Sequence, residues 1–492
     1  MKKIKIILLL IVVISMINCS EDFLDKTPLD TINTENYPAT AEELITVVNG
    51  VYQPLQWPKL YNLRMWTSDI MAGNSIVGAG GGSDGIETQD MTNFVTNTDN
   101  AGVLDLWRGP WPGILMSNIV LDVAPSLEID EAIKNRSIGE AYFLRAHYYF
   151  ILTRYFGDVP LITEPQSSDD SLYPERVSKN DVYDQIISDL ENAIELLPTK
   201  DSYSGTDLGR ASKGAALGIL AKVYLTLGNW DKVVTLTTEL EGLGYRLNDN
   251  YSDNFNPYTE NSAESIFEVQ YASNGGFSFW GNENQSSWLS TFMGPRGSDF
   301  VAGAWGWNQP TQEFVNEYEP NDLRKGATIL FEGGPDFDEK SYDAAYSLTG
   351  YNVRKYLVPL DVSSSYDNSP LNFPVLRFAD VLLMKAEALN ELGQSSQAET
   401  SLNIVRNRAG LLDISSGMDQ ISLKEAILHE RRMELAFEGQ RWFDLIRINN
   451  GQYGLDFLHS IGKTNASEKH LLFPVPQIER DRNPNLTQNP GY

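Results

Sequence analysis

FPVLRFADVLLMKAEALNELGQ (residues 373–394) is the stretch that decides the fold. Its apolar residues recur at steps of four and three, which predicts one apolar stripe along a helix led by Pro374: Val375, Ala379, Leu382, Ala386 and Leu389. Gly393 is placed to end this helix, because glycine readily adopts the left-handed conformation found there. A second helical pattern, residues 396–409, then returns along the first. The stretch therefore predicts a helical hairpin.

The next helical pattern, residues 421–438, is unusually rich in charge. Glu430, Glu434 and Glu438 repeat every four residues, and like charges so placed repel unless another element supplies partners. Arg431 stands three residues from Glu434, where opposite charges pair on one helix. With Arg432 and Arg441 nearby, a structural ion-pair network is favoured over a catalytic site.

Helical patterns elsewhere pair in the same way. The predicted hairpins are 137–156 with 180–197, 211–227 with 230–240, and 421–438 with 441–448. Hairpins of this size resemble tetratricopeptide repeats, although their spacing is irregular. The predicted fold is mainly α, a tetratricopeptide-like helical scaffold with a loop-rich, partly β inserted lobe.

The remaining segments complete this organisation. Residues 40–56 have helical spacing and begin with a capping box at Thr40 and Glu43, residues 60–71 are apolar enough for another helix, and residues 73–100 look like a long loop. In the predicted single body, residues 40–492, the scaffold comprises 40–243 and 373–492. The inserted lobe is 244–372, in which SIFEVQYA (265–272) predicts a strand.

Several blocks, in this order and spacing, resemble the SusD/RagB family. They are CSEDFLDKTP, YFLRAHYYFILTRYFGDVPLI, KGAALGILAKVYLTLGNW, FPVLRFADVLLMKAEALNELG, LNIVRNRAGL, HERRMELAFEGQRWFDLIR and LLFPVPQIERDRNPNLTQNPGY. The resemblance spans essentially the whole chain after residue 18. It implies a lipoprotein that captures nutrients at the outer surface of Bacteroidetes cells.

The N-terminus fits an exported lipoprotein. MKKIK supplies a positive start, and residues 6–17 are apolar apart from Ser15, too short a run to span a bilayer, so residues 1–18 are predicted to be a signal peptide. Cys19 is the only cysteine, which leaves no intramolecular disulfide. The resemblance implies that Cys19 is acylated and that residues 19–39 form a lipidated tether on the outer membrane.

The chain is strongly acidic, with a net charge of −28. Removing residues 1–18 takes away three lysines and leaves 35 basic and 66 acidic residues, a net charge of −31. Such a surface repels polyanions, so nucleic acid is not expected as a partner. Sulfated and uronic-acid polymers are disfavoured less strongly.

The sequence contains matches to catalytic motifs, but their flanking residues do not predict the structure that such motifs need, and no metal-binding motif is present. Residues 81–85 match G-x-S-x-G, but both flanks look like loop, whereas a nucleophile elbow needs a strand before it and a helix after it. The four histidines form no metal-binding spacing, and His147 within a helical pattern favours a structural role. No cofactor is predicted; Asp249 and Asp253 are candidates for a structural calcium ion, although their spacing is not that of an EF-hand.

The strongest binding signal is aromatic. Trp280, Trp288 and Trp305 fall in a short segment rich in Gly, Ser and Asn, together with polar candidates at Asn282, Gln285 and Arg296. Flat indole rings pack on the apolar faces of sugars, while amide and charged side chains bond the hydroxyls. The alternative, that some of these rings fill the core of the inserted lobe, stays open for the three tryptophans and is favoured for Trp307.

The resemblance implies that a ligand lies between this segment and an N-terminal loop, which corresponds here to residues 74–97. The polar candidates in that loop are Asn74, Asp84, Glu87 and Gln89. The loop contains no Trp or Tyr, unlike the aromatic surface expected of a starch binder. Starch is therefore disfavoured as the ligand.

The favoured function is a non-enzymatic surface lipoprotein that captures oligosaccharides, preferably neutral ones. By resemblance it passes them to a SusC-like TonB-dependent transporter. One alternative is a RagB-like peptide-binding lipoprotein, which shares fold and anchor but recognises backbone groups. A surface enzyme is a second alternative, for which the sequence offers no catalytic constellation.

Cys19→Ala is expected to leave the protein unanchored, because lipid chains supply the membrane affinity. Metabolic labelling with a fatty acid, followed by membrane fractionation, measures this. Label on the variant, or none on the wild type, would contradict lipidation at Cys19.

Overall fold

Helical hairpins dominate the structure, a computed structural model that describes residues 37–166, 172–273 and 285–492. The predicted signal peptide, Cys19, Trp280 and Asn282 lie outside the described residues. The α-helices are α1 (Ala41–Tyr52), α2 (Ser68–Met71), α3 (Ile86–Thr92), α4 (Ala101–Arg108), α5 (Trp111–Val123), α6 (Glu131–Phe156), α7 (Lys179–Leu196), α8 (Lys213–Leu227), α9 (Trp230–Glu241), α10 (Leu289–Met293), α11 (Gln312–Asn316), α12 (Arg324–Thr328), α13 (Phe378–Glu391), α14 (Ser395–Arg408), α15 (Gln420–Glu434), α16 (Arg441–Arg447), α17 (Gln452–Ser460) and α18 (Gln477–Arg482).

Short 3₁₀ helices and strands join these helices. The 3₁₀ helices are Gln53–Gln56, Ala124–Ser126, Lys200–Ser202, Gly205–Asp207, Tyr251–Phe255, Ala344–Tyr346, Ile448–Gly451 and Glu468–Leu471. The strands form three antiparallel pairs, β1 (Ser75–Gly78) with β3 (Trp307–Pro310), β2 (Ser265–Val269) with β6 (Phe373–Arg377), and β4 (Ile329–Leu330) with β5 (Asn352–Val353). The mainly α fold class is thereby confirmed.

Three of the predicted hairpins are present: α6 packs on α7, α8 on α9, and α13 on α14. The fourth differs from the prediction. Helix α15 ends at Glu434 and packs chiefly against α13 rather than pairing with the short α16. Its charged side chains therefore face several elements instead of one partner helix.

Helix α6 is the central element of the scaffold. It runs for 26 residues from the N-cap Asp130, whose carboxylate accepts from two backbone N–H groups, to Gly157, where a positive φ ends it. Most of its second half is buried, in contact with α1, α5 and α7. No helix in the described ranges is both long enough and apolar enough to cross a bilayer.

Three local predictions were wrong. Residues 60–67 form successive turns instead of a helix, and only α2 follows them. Residues 73–100 are not one loop, since they contain β1 and α3. Pro374 does not lead into a helix, because Phe373–Arg377 pairs with β2 as a strand before α13 begins. In each case a tertiary contact overrides a pattern that is ambiguous over so few residues.

The predicted ion-pair network around α15 is present, but its partners come from other elements. Glu434 is fully buried and contacts Arg324 at 3.1 Å, Arg377 at 3.0 Å and the guanidinium of Arg408. Glu438 contacts Arg377 at 2.7 Å and Lys355 at 2.6 Å. These contacts tie the inserted segment (residues 244–372), β6 and α14 to α15 and to the turn that follows it.

Arg431 also pairs across elements rather than with Glu434. Its guanidinium lies 2.9 Å from Asp380 of α13 and 3.1 Å from Asp444 of α16. Lys222 of α8 lies 2.7 Å from Asp380 as well. Because each of these four buried charges has an opposite charge nearby, the cost of removing it from water is offset.

Glu434→Gln is expected to lower the free energy of unfolding by about 3–5 kcal/mol, because it leaves buried guanidiniums without a charge partner. Burial opposes ionisation of Glu434, but Arg408, Arg377 and Arg324 outweigh it and hold its pKa well below its usual range. The carboxylate's stabilising contribution is thus present above its ordinary pKa of 4.5 and lost as the pH falls below it.

Urea unfolding at several pH values measures both effects, with Glu131→Gln, at a carboxylate that is 71% exposed, as the control. We expect the control to change stability by about 0.5 kcal/mol or less. A Glu434→Gln variant as stable as the control, or one with a steeper loss in acid, would contradict the role given to Glu434.

Candidate functional site

A cavity of about 620 Å³ lies where the segment that contains β1 and α3 meets the inserted segment. The pairing of β1 with β3 brings the two together, with Gly78 opposite Trp307 and Ser75 opposite Pro310. The lining residues come from both sides: Leu63, Asp84, Gly85, Glu87, Trp288, Phe292, Arg296, Trp305, Trp307 and Tyr366.

Aromatic rings form one wall of the cavity. The ring centroids of Trp288 and Trp305 are 5.7 Å apart with planes at 52°, and those of Trp288 and Tyr366 are 5.4 Å apart at 64°. Phe292 contacts Trp305 edge-on from beneath at 4.9 Å. Trp288 is only 5% exposed, whereas Trp305 is partly buried and Tyr366 is 49% exposed. Trp305 and Tyr366 therefore present the accessible ring surface.

Backbone hydrogen bonds fix these rings. The Trp288 N–H donates to Oδ1 of Asn62 at 2.8 Å, and the Trp305 N–H donates to the carbonyl of Thr291 at 2.8 Å. The Thr291 hydroxyl in turn donates to the carbonyl of Tyr366 at 2.7 Å. The rings are thus held in place without a ligand, which lowers the entropic cost of binding one.

Close backbone approach at the cavity floor requires glycine. Gly85 has a φ of 64°, and a Cβ there would lie 2.3 Å from the Trp307 ring. This glycine lets the start of α3 lie against Trp307, which is 6% exposed within β3. The structural role favoured for Trp307 agrees with that placement, although the ring also reaches the cavity.

The charged groups of the cavity are paired with one another. Arg296 donates to the carbonyl of Trp305 at 3.0 Å, and its guanidinium lies 3.8 Å from the Asp84 carboxylate. Asp84 also accepts the Gly80 N–H at 3.1 Å. Glu87 contacts the buried Arg64 at 3.1 Å. The site thus offers donors and acceptors beside aromatic rings, with little net charge.

The structure gathers five of the residues that the sequence singled out at this cavity: Asp84, Glu87, Trp288, Arg296 and Trp305. Gln285 is exposed but does not line it. Tyr366 lines it and was missed, although it lies in a Ser- and Asp-rich stretch of the kind that drew attention to the tryptophans.

Asn74 requires a correction, because it is fully buried. Its side-chain amide donates to Asp69 at 3.2 Å, and its oxygen accepts from Arg432 at 3.0 Å. It therefore has no surface to offer a ligand and instead holds the start of β1 against α15.

Two further predictions concern metal binding and the structural role of His147. No cluster of three or more His, Cys, Asp or Glu side chains in the described parts of the chain is placed to hold a metal ion. His147 is buried, its Nε2 lies 2.8 Å from the Tyr61 hydroxyl, and burial lowers its pKa to about 3. The structural role predicted for His147 is confirmed.

Comparison with known proteins covers nearly the whole chain. A family model described as "SusD family" matches residues 263–492, and one described as "Starch-binding associating with outer membrane" matches residues 22–225. SusD-like protein P2 of Formosa agariphila is 29% identical over the full length of both chains.

Solved structures show the same fold. A laminarin-binding SusD-like protein is 29% identical, with a TM-score of 0.78 over 92% of this chain and 100% of its own. Surface glycan-binding protein A of Bacteroides thetaiotaomicron, in complex with laminarihexaose, is 24% identical, with a TM-score of 0.77 over 92% of this chain and 99% of its own. Both likenesses extend across the region that holds the cavity.

Trp288→Ala is expected to lower the free energy of unfolding by about 3–5 kcal/mol, because it removes a nearly buried ring. Tyr366→Ala is the matched control on the same wall, and its half-exposed ring predicts a loss of about 1 kcal/mol or less. Denaturant unfolding of both variants measures the difference. Equal losses would show that Trp288 is not the supporting ring.

Proposed function

This chain belongs to the SusD/RagB family, and from that premise we propose that it captures neutral oligosaccharides at the outer membrane without cleaving them. The observation that carries the proposal is the cavity between β1–α3 and the inserted segment, whose Trp305 and Tyr366 rings are accessible. Relatives that bind laminarin and laminarihexaose support a glycan as the ligand.

The chemistry of the cavity suits a sugar. The apolar C–H face of a pyranose ring packs on an accessible aromatic face, which Trp305 and Tyr366 supply. Arg296 and Asp84 lie beside the rings as a donor and an acceptor for hydroxyl groups. Because these two charges already face each other, an ionic ligand gains little, which favours a neutral glycan over a polyanion.

The placement of the protein is proposed on the same premise. Association with the outer membrane is supported by the description of the matched family model. We propose that acylated Cys19 provides the anchor and that a SusC-like TonB-dependent transporter receives the oligosaccharide. A non-catalytic role agrees with the paired charges of the cavity, where Asp84 and Glu87 both face arginines.

Trp305→Ala is expected to weaken oligosaccharide binding, with laminarihexaose as the first ligand to test. Loss of one stacking ring costs about 1–3 kcal/mol by analogy with base stacking, which corresponds to roughly fivefold to over a hundredfold in Kd. Tyr366→Ala is expected to act in the same direction. Isothermal titration calorimetry measures Kd, and chromatography of the recovered ligand shows whether it stays uncut.

Tyr258→Ala serves as the matched control, since Tyr258 is 77% exposed and does not line the cavity. Binding of a neutral glycan is expected to change little between low and moderate salt, because few ionic contacts form. Normal binding by both cavity variants would refute this site. A steep salt dependence would point to a charged ligand, and shortened products would point to an enzyme.

A further inference from the structure

A second cavity, of about 770 Å³, lies where the ends of α6 and α8 meet the start of α7 and helix α16. It shares no lining residue with the aromatic cavity. Much of its wall is apolar, with Tyr183, Phe443, Ile446, Leu471 and Leu472 among the lining side chains. Nothing in the glycan proposal uses it.

Arg154 projects into this cavity between two aromatic rings. Its guanidinium carbon lies 4.1 Å from the ring centroid of Phe150 and 3.8 Å from that of Phe443. Its Nε donates to the carbonyl of Phe150 at 3.3 Å. Because both rings pack closely against the guanidinium, its planar N–H edge is the part left for a further partner.

This arginine differs from Arg431, which contacts two carboxylates. In the described ranges no carboxylate lies within 4.0 Å of Arg154, and its terminal nitrogens find no protein acceptor. Arg447, on the same cavity wall, contacts both Glu387 and Asp444. Burial lowers the pKa of Arg154 and outweighs the opposing effect of its neighbours, three tyrosines and Asp444. Its charge is thus left without a direct partner.

The mouth of the cavity is also cationic. Lys179 and Lys469 are exposed lining residues, and neither forms an ion pair with a described residue. Lys179 opens the 18-residue helix α7, whose N-terminus adds partial positive charge. Two carboxylates oppose this positive charge. Glu468 also lines the cavity, and Asp158 accepts a hydrogen bond from the backbone N–H of Lys179. The cationic groups remain in excess, in a chain whose net charge is −28.

We propose that this cavity binds a carboxylate attached to an apolar body, with the guanidinium edge of Arg154 receiving both carboxylate oxygens. A planar fork matches a carboxylate in two parallel hydrogen bonds. The apolar wall formed by Phe443, Leu471 and Leu472 accommodates the body, and Lys179 and Lys469 draw the anion in. Such a group is found on a free organic acid and at the C-terminus of a peptide.

Calorimetric titration of the mature chain with matched acid and amide pairs tests the site. The pairs are 3-phenylpropionate with 3-phenylpropionamide, and acetyl-Phe-Phe with a free or an amidated C-terminus. At least one acid is expected to bind saturably, more weakly as salt rises, with its amide at least about tenfold weaker. Binding of the small acid alone identifies a free organic acid as the source, and binding of the peptide acid identifies a chain terminus.

Variants locate the binding. Arg154→Lys keeps the charge but loses the planar fork, so it is expected to weaken acid binding at least about tenfold. Lys469→Gln changes an exposed side chain and is expected to weaken binding about two- to fivefold while lowering its salt dependence. Trp305→Ala, at the other cavity, leaves acid binding unchanged.

Two results would overturn the proposal: neither acid binds, or both amides bind as tightly as their acids. If Arg154→Lys does not fold, the affinity and salt dependence of Lys469→Gln test the site instead. Unchanged affinity and unchanged salt dependence in that variant would also refute the site. Since the glycan ligand is measured separately, failure here leaves the aromatic cavity untouched.

Discussion

The carboxylate of Glu434 is the interaction on which the structure depends most. It is buried among the guanidiniums of Arg324, Arg377 and Arg408, which come from the inserted segment, from β6 and from α14. Charges so far from water are tolerated only when their partners are in place. The network therefore stabilises one arrangement of the inserted segment on the scaffold, because any displacement would leave buried charge unpaired.

Helix α15, which ends at Glu434, is also linked to the aromatic cavity through Arg432. Arg432 contacts Glu313 of α11 at 2.7 Å and donates to Oδ1 of Asn74 at 3.0 Å. Asn74 immediately precedes β1, and β1 pairs with the strand that holds Trp307. The two sides of the cavity are thus held against α15, which explains how segments more than 200 residues apart line one cavity.

The two cavities differ in the groups that they leave available to a ligand. In the aromatic cavity the charges of Arg296 and Asp84 face each other and the rings remain open, which suits a neutral ligand with apolar faces. In the second cavity the rings of Phe150 and Phe443 cover a guanidinium whose charge is not balanced by direct contact. One scaffold therefore carries an aromatic cavity with paired charges and a second cavity with an unpaired positive charge, in a chain that is acidic overall.

The sequence by itself determined the long helices of the hairpins, because caps and apolar periodicity act within a few residues; α6 and its end at Gly157 are examples. It also indicated an aromatic binding segment and a charge network on α15. Only the tertiary structure decided that Asn74 is buried, that Tyr366 joins the wall, and that Glu434 pairs with Arg324 rather than Arg431. The physical reason is that burial and ion pairing depend on groups brought together from distant parts of the chain, which local periodicity does not encode.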